Sequence, residues 1–594
     1  MSQVLTQAKA FLQEDPDPQT RAELTQILNR LNADDADARA AAEQELEERF
    51  TGRLQFGTAG LRGAMGAGTQ RMNRVIVQKA TFGLGTYLLE QGPKEGFDAR
   101  KQGVVIGFDG RKNSRQFAED AASVLCGLGI PVHMTLRPTA TPLCGFAVRE
   151  VEAAAGIVVT ASHNPPEDNG YKVYWANAAQ IIPPHDAGIA ACIDRAPTLG
   201  EIKRPHIFEQ IDSGLRQPLD SAVEQRYLQA IEGGSLHPGI GADVPLKIVY
   251  TAMHGVGNDL VLRSLSQAGF NRVLSVPSQA EPDGSFPTVR FPNPEEEGAL
   301  DIALAAARET QADLLLANDP DADRIAVCIP AGDGKGFTFL SGNDIGILLG
   351  DDAVTHADTQ GKPKLLVTTL VSSTMLGRMA RNVGAVYRET LTGFKWIANA
   401  AVEGEANGQS FVLGYEEALG VSVGSIVRDK DGISAAVRVA EMVAYYKKQG
   451  KTLFDRLDEL SIEHGLSGAL QWSVVLPGSE GKAQIAALME TLRREPPASL
   501  AGEPVSRRID LNLSAAQGNE MFEGSEMPPS NVLVFWGEAG TRLIARPSGT
   551  EPKIKFYLES TASVSAREEL VAARAQLEER LKTLKQELST RLGL

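Results

Sequence analysis

Short apolar runs, each followed by a stretch of helical character, recur along most of this chain. Val104–Phe108 reads as a buried strand with a helix after it over Gln116–Leu128. Ile157–Thr160, Lys247–Tyr250, Asp313–Ala317, Lys364–Thr368 and Phe411–Leu413 repeat the pattern. Strands alternating with helices of about 12 residues predict α/β domains. At 594 residues the chain exceeds what one hydrophobic core supports, because domains usually hold roughly 100–200 residues. The pattern places an N-terminal helical extension at 1–50. Three α/β domains follow at 51–225, 226–345 and 346–470. A C-terminal α+β domain spans 471–594, with strands over Asn531–Trp536 and Ile554–Glu559 and one closing helix. The Pro-rich Pro197–Pro218 reads as a connection. Leu577, Leu581, Leu584, Leu588 and Leu592 recur at helical spacing and read as a core-facing stripe.

The formal net charge of -16 argues against nucleic acid or an anionic membrane as partner, since both demand a cationic face. A small anionic substrate fits if a local cationic pocket overrides that field. The four cysteines, Cys126, Cys144, Cys192 and Cys328, form no C-x-x-C pair and predict a reducing compartment, the cytoplasm. Met1–Gln13 lacks the continuous apolar core of a secretory signal. No run of about 18 apolar residues would span a bilayer.

Four short segments carry unusual chemistry. Thr160-Ala161-Ser162-His163-Asn164-Pro165-Pro166 follows a predicted strand, with Asn169-Gly170-Tyr171-Lys172 beyond it. In an extended chain Ser162 and His163 would point to opposite sides, which disfavours a hydrolase-type Ser-His pair. There is no G-x-S-x-G elbow either. Asp319-Pro320-Asp321-Ala322-Asp323-Arg324 places carboxylates at i, i+2 and i+4 in a segment where Pro320 disfavours a helix. Three hard oxygen ligands on one side suit Mg2+, and the residues that a Ca2+ loop needs are missing. Gly414-Tyr415-Glu416-Glu417-Ala418-Leu419-Gly420 could accept hydrogen bonds from sugar hydroxyls or be a charged loop. Arg428-Asp429-Lys430-Asp431-Gly432 downstream could cap the next helix. Arg546-Pro547-Ser548-Gly549-Thr550-Glu551-Pro552-Lys553 could cradle a phosphate or be a tight turn.

Taken together and in this order, T-A-S-H-N-P, D-P-D-A-D-R, G-Y-E-E-A-L-G and R-P-S-G-T-E-P resemble the α-D-phosphohexomutase superfamily. That family contains phosphoglucomutase, phosphomannomutase and related sugar-phosphate mutases. Phe56-Gly57-Thr58-Ala59-Gly60-Leu61-Arg62-Gly63 matches a further family motif upstream. The resemblance implies three α/β domains and a smaller α+β C-terminal domain around a central cleft. It implies a phosphoserine at Ser162 that gives and takes the phosphoryl group, with His163 beside it. It implies Mg2+ held by Asp319, Asp321, Asp323 and a phosphoserine oxygen. Arg62 and Arg324 would neutralise the transferring group. Lys172 would be the general acid/base, which requires a lowered pKa. Glu416 would bind sugar hydroxyls, and Arg546, Ser548, Gly549 and Thr550 the non-reacting phosphate. Thr392-Gly393-Phe394-Lys395 resembles another substrate loop, with Thr392, Gly393 and Lys395 as contacts.

The implied reaction interconverts hexose 1-phosphate and hexose 6-phosphate, for glucose or mannose. A sugar 1,6-bisphosphate serves as intermediate and activator. Two positions depart from common patterns: Ala418 stands where a serine is frequent, and Phe394 where a histidine is. The G-Y-E-E-A form resembles the branch with phosphopentomutase and glucose-bisphosphate synthase, so those activities stay open. Two further readings remain: a sugar-phosphate-binding protein without catalysis, and a phosphohydrolase in which Asp319 takes the phosphoryl group.

Overall fold

The computed structural model describes residues 1–55, 60–332, 334, 336–476, 478–513, 527–548 and 553–594, with Gly478 and Ser479 described by backbone alone. Two compact units emerge. The first holds Met1–Leu340 with Gly420–Glu441, and the second Ser341–Leu419 with Met442–Leu594.

The first unit opens with three helices, Ser2–Glu14, Pro18–Arg30 and Ala36–Phe50. Asp17 and Asp35 cap the second and third by accepting backbone N–H groups, as short acidic side chains do at helix starts. A sheet of six strands follows, in the order Leu61–Ala64, Asp168–Trp175, Ala155–Val159, Val104–Phe108, Val132–Met134, Arg216–Pro218. The last four of these run parallel, and the first two are antiparallel additions at one edge. Val104–Phe108 and Ala155–Val159 are buried along their whole length, which is why they read as unbroken apolar runs. Pro197–Pro218 is more than a connection. It contains a helix, Ile207–Asp212, and the edge strand Arg216–Pro218 beside Val132–Met134. An edge strand tolerates the proline that made this stretch look irregular.

The second sheet runs Phe337–Leu340, Ala326–Pro330, Leu314–Ala317, Ile248–Thr251, Val273–Ser275. Its last three strands are parallel. In both sheets the loops of interest leave the carboxyl ends of parallel strands, where open α/β sheets place their ligands.

In the second unit Lys364–Thr369 pairs in parallel with Val386–Thr390 on one side and Ser410–Glu416 on the other. A separate antiparallel sheet follows, ordered Leu466–Val475, Lys553–Ala562, Arg542–Pro547, Leu533–Gly537, Glu503–Asp510, Ser499–Leu500. Helix Leu570–Leu592 buries Leu577, Leu581, Leu584 and Leu588, and the last three pack with Phe535, Phe556 and Leu558 of that sheet. The leucine stripe is a core face. No described helix is long and apolar enough to cross a membrane.

Candidate active site

Ser162 lies on the loop after Ala155–Val159 and is 3 % exposed. Its φ is 52°, in the left-handed region that a non-glycine residue enters only where its surroundings impose it. Those surroundings are specific. Ser162 N donates to Thr160 Oγ1 at 2.8 Å. One guanidinium, Arg111, donates to the carbonyls of Ser162 (2.7 Å), Asn164 (2.5 Å), Pro165 (2.7 Å) and Asp168 (3.2 Å). Arg111 is held by Asp109 at 3.5 Å and lies over the Phe286 ring at 5.0 Å.

This conformation overturns one expectation. Because Ser162 is left-handed rather than extended, His163 turns back, and its Nδ1 lies 3.1 Å from Ser162 Oγ. Burial, with Arg324 and Arg62 adding to it, pushes the imidazole well below its ordinary pKa. The imidazole is therefore held neutral, and in the tautomer protonated at Nε2 its Nδ1 can accept a hydrogen bond from the Ser162 hydroxyl. Ser162 Oγ also lies 2.7 Å from Asp319 Oδ2, to which it can donate.

Asp319, Asp321 and Asp323 are each fully buried. An oxygen from each lies within 4.8 Å of the others. They converge through a turn and not through strand alternation. Ala322 has φ 59°, and its N–H returns to Asp319 O at 2.9 Å. A solvated acidic turn is thus excluded. Lys172 Nζ bridges Asp321 (2.7 Å) and Asp323 (2.8 Å). Lys430 reaches Asp323 at 3.1 Å, and Thr141 donates to Asp321 at 2.7 Å. Asp321 Oδ1 and Asp323 Oδ1 are buried without a hydrogen-bond partner. Three convergent carboxylates with orphaned oxygens are a donor set for a hard cation of the Mg2+ type.

Burial opposes ionisation of all three carboxyls. At Asp319 it prevails, reinforced by Asp321 and Asp323, and lifts the group well above its ordinary range. At Asp321 and Asp323 Lys172 helps to overcome it, and both fall below that range. The same contacts correct the expectation for Lys172. Burial would release its proton, but Asp321 and Asp323 outweigh burial and hold the ammonium above its usual pKa.

Arg62 Nη1 donates to Asn164 Oδ1 at 2.8 Å, which ties the strand Leu61–Ala64 to the Ser162 loop. Arg324 N donates to Asp319 Oδ1 at 3.0 Å, and its side chain faces Glu295 at 3.7 Å. Ser162, His163, Lys172, Arg62, Arg324 and the three aspartates thus gather in the first unit. Sequence reasoning missed Arg111 and Lys430. A charged Asp109-Gly110-Arg111 at the end of a buried parallel strand was the available signal for the first. For Lys430 the only signal was a cap: Asp431 Oδ1 indeed accepts from Ile433 N and Ser434 N at 3.1 and 3.0 Å, while the neighbouring lysine turns to Asp323.

The remaining predicted residues lie in the second unit. Glu416 ends the strand Ser410–Glu416, and Glu417 Oε2 accepts from Thr369 and Ser372 hydroxyls at 3.2 and 3.3 Å. Arg546 hydrogen-bonds Tyr557, and both Glu416 and Glu417 act electrostatically on that same phenol. The predicted sugar and phosphate segments are therefore neighbours. Ser548 N returns to Lys553 O at 2.8 Å. Thr392 precedes Gly393, whose φ of 109° starts helix Phe394–Ala406. Lys395 is buried with its ammonium 5.4 Å from the Trp396 ring centre. Gly549 and Thr550, and Phe56 to Ala59 of the upstream motif, lie outside the described residues.

Comparison with known proteins agrees with this fold. Residues 53–199, 225–332 and 341–461 match phosphoglucomutase/phosphomannomutase alpha/beta/alpha domains I, II and III, and 501–577 match the C-terminal domain. A Haemophilus influenzae protein named "Probable phosphomannomutase" is 42% identical over 82% of this chain and 93% of its own. Human phosphopentomutase is 36% identical over 87% of each. Human glucose 1,6-bisphosphate synthase is 33% identical over 97% of this chain and 92% of its own. Among solved structures, the Paramecium phosphoglucomutase parafusin in its open form has a TM-score of 0.68 at 19% identity, covering 92% of this chain and 97% of its own.

Three α/β domains and a C-terminal domain, with these relatives, define a phosphotransferase of the isomerase type. The chain belongs to the phosphoglucomutase/phosphomannomutase family, and its activity is that of a sugar-phosphate mutase.

Proposed function

We propose that this enzyme interconverts the 1- and 6-phosphates of a hexose, glucose or mannose, through a phosphoserine at Ser162 and a hexose 1,6-bisphosphate. The observation that carries this is the setting of Ser162 Oγ. It lies 2.7 Å from Asp319 Oδ2 and 3.1 Å from His163 Nδ1, on a loop whose carbonyls Arg111 holds. A serine hydroxyl is a weak nucleophile and needs a proton acceptor. Asp319 Oδ2 and His163 Nδ1 are the two groups within hydrogen-bond reach of the Ser162 hydroxyl when it takes the phosphoryl group from the bisphosphate, and burial raises the proton affinity of the first and lowers that of the second. Lys172, kept protonated by its aspartates, supplies positive charge and can return a proton to a sugar oxygen. Arg62 and Arg324 neutralise the transferring group.

Asp319, Asp321 and Asp323 would hold Mg2+, which when bound neutralises charge on the transferring phosphoryl group. Phosphoryl transfer depends on such positioning and electrostatics more than on covalent help. Arg546 and Ser548, with Gly549 and Thr550, would bind the phosphate that stays. Glu416 would bind hydroxyls, with Thr392, Gly393 and Lys395 as further contacts. We assign the domains as 51–225, 226–345, 346–470 and 471–594 behind the helices of 1–50, and the compartment as the cytoplasm, which suits four unpaired thiols.

The relatives named phosphopentomutase and glucose 1,6-bisphosphate synthase, with Ala418 and Phe394, support pentose phosphate as the second reading. The test is turnover of glucose, mannose, N-acetylglucosamine, ribose and deoxyribose 1-phosphates with Mg2+ and a trace of bisphosphate. Hexose turnover should dominate. Ser162→Ala should abolish it and remove one phosphoryl group from the intact mass. Pentose preference would establish the second reading, and activity retained in Ser162→Ala would refute the phosphoserine.

A further inference from the structure

The three N-terminal helices share a core with the first sheet's domain. Phe11, Leu24, Leu46 and Phe50 pack with Ala67, Val75 and Val124. Ala67 is fully buried and belongs to the turn Gly66–Arg71, which carries the chain on from the strand of Arg62.

That turn is gripped at both peptide groups of one residue. Glu23 Oε2 accepts from Ala67 N at 2.9 Å, and Arg49 Nη1 donates to Ala67 O at 3.0 Å. The two side chains pair with each other at 2.8 Å, and Glu45 steadies Arg49 at 2.9 Å. The backbone adds to the grip. Gln70 N donates to Arg49 O at 3.0 Å, and Thr69 Oγ1 to Gly52 O at 2.6 Å. At Gly68, φ is +127° and a Cβ would come 2.6 Å from Arg49 O. The helix end and the turn therefore approach closer than any side chain allows.

From the turn the connection to the reacting serine is short. Met72 N returns to Ala64 O at 2.8 Å, and Met65 N donates to Glu167 O, beyond Ser162, at 2.9 Å. Arg62 pairs with Gly170 across the sheet edge and donates to Asn164 at 2.8 Å.

We propose that Glu23 and Arg49 are positioning residues for phosphoryl transfer: by clamping Ala67 they fix the strand Leu61–Ala64 and so where Arg62 stands against the Ser162 loop. This rests on the phosphoserine reading above. A mere staple between helices would cost stability and leave turnover intact. A positioning clamp lowers kcat while substrate affinity holds.

The experiment compares Arg49→Met, Arg49→Lys and Glu23→Gln, alone and with Arg62→Met, by steady-state kinetics on the preferred sugar 1-phosphate and by amide exchange. In Arg49→Met kcat should fall about tenfold or more, since displacements near 1 Å can cost about a hundredfold. KM should hold within about twofold, and Arg49→Lys should recover part of kcat. Exchange at Leu61–Ala64 should rise. In the Arg62→Met background Arg49→Met should change kcat by less than about twofold, the signature of residues acting as one unit. Should Arg49→Met not fold, Glu23→Gln carries the test with a loss of about threefold, as expected of one weakened ion pair. Unchanged kcat in folded Arg49→Met or Glu23→Gln, or losses that multiply with those of Arg62→Met, would overturn the clamp. Activity surviving in Ser162→Ala would instead overturn the reading beneath it.

Discussion

Arg111 concentrates more of the catalytic loop on one side chain than any other residue described here. Four carbonyls converge on its guanidinium. Lysine keeps the charge but offers a compact ammonium in place of a planar fork. Arg111→Lys should therefore fold and lose about a hundredfold in kcat, the scale set by a misplaced reacting group, with KM little changed. Arg111→Met should in addition lose about 3–5 kcal/mol of stability, because Asp109 is left buried without its counter-charge. Wild-type kcat in Arg111→Lys, by steady-state kinetics, would contradict this role. Residue identity made Ser162, Asp319, Asp321, Asp323 and Lys172 legible in the sequence. Backbone conformation was not legible. The left-handed φ at Ser162 goes with the tertiary hydrogen bonds of Arg111 to its loop, and that at Ala322 with a local turn bond to Asp319 O; the first reverses where His163 points and the second changes how the aspartates converge. The state of Lys172 was hidden for a similar reason, since its partners lie 149 and 151 residues away.

Among the elements, helix Gly342–His356 positions the acidic turn of the second unit. A capping box of Ser341 and Asp344 starts it, as such reciprocal caps do. Its next turn then lies against Tyr415, one residue before Glu416. A Cβ at Gly346 would meet the Tyr415 ring at 2.3 Å, and one at Gly342 the Glu417 carbonyl at 2.0 Å. The ring is fully buried and has nowhere to move. Gly346→Ala gains about 1 kcal/mol of helix propensity but should lose about 1–3 kcal/mol to overpacking. The expected sum is destabilisation in chemical denaturation together with a raised KM, because the Glu416 strand must shift. Gly233→Ala is the control, since a Cβ there meets nothing within 4 Å, and it should be neutral or stabilising. A Gly346→Ala variant as stable as Gly233→Ala would refute the close packing. Strands buried on both faces were readable because they are unbroken apolar runs, as at Val104–Phe108. The edge strand Arg216–Pro218 was not, because an edge needs neither apolar continuity nor every N–H.

For the molecule as a whole, a chain of net charge -16 must still attract a doubly anionic substrate. In the first unit Arg111 is matched by Asp109 and Lys172 by Asp321 and Asp323, so Arg62, Arg324 and a bound cation would supply the positive charge that the substrate meets. Asp319, Asp321 and Asp323, the all-carboxylate group that suits Mg2+, lie together in that same unit. That placement has a measurable consequence for Mg2+. A cation that binds only the folded first unit stabilises it by about 2.7 kcal/mol at a hundredfold excess over Kd. Lys172 takes one oxygen each of Asp321 and Asp323, and their Oδ1 atoms, buried without a hydrogen-bond partner, are the ones that would face the ion. Amide exchange with and without Mg2+ should therefore show new protection in Leu314–Ala317 and Ala155–Val159. Lys364–Thr369 and Arg542–Pro547 should not change. EDTA should reverse the protection, and Asp321→Asn with Asp323→Asn should remove it along with turnover. Equal protection of both units, or none, would place the metal elsewhere. Full turnover in excess EDTA would remove it from the reaction altogether.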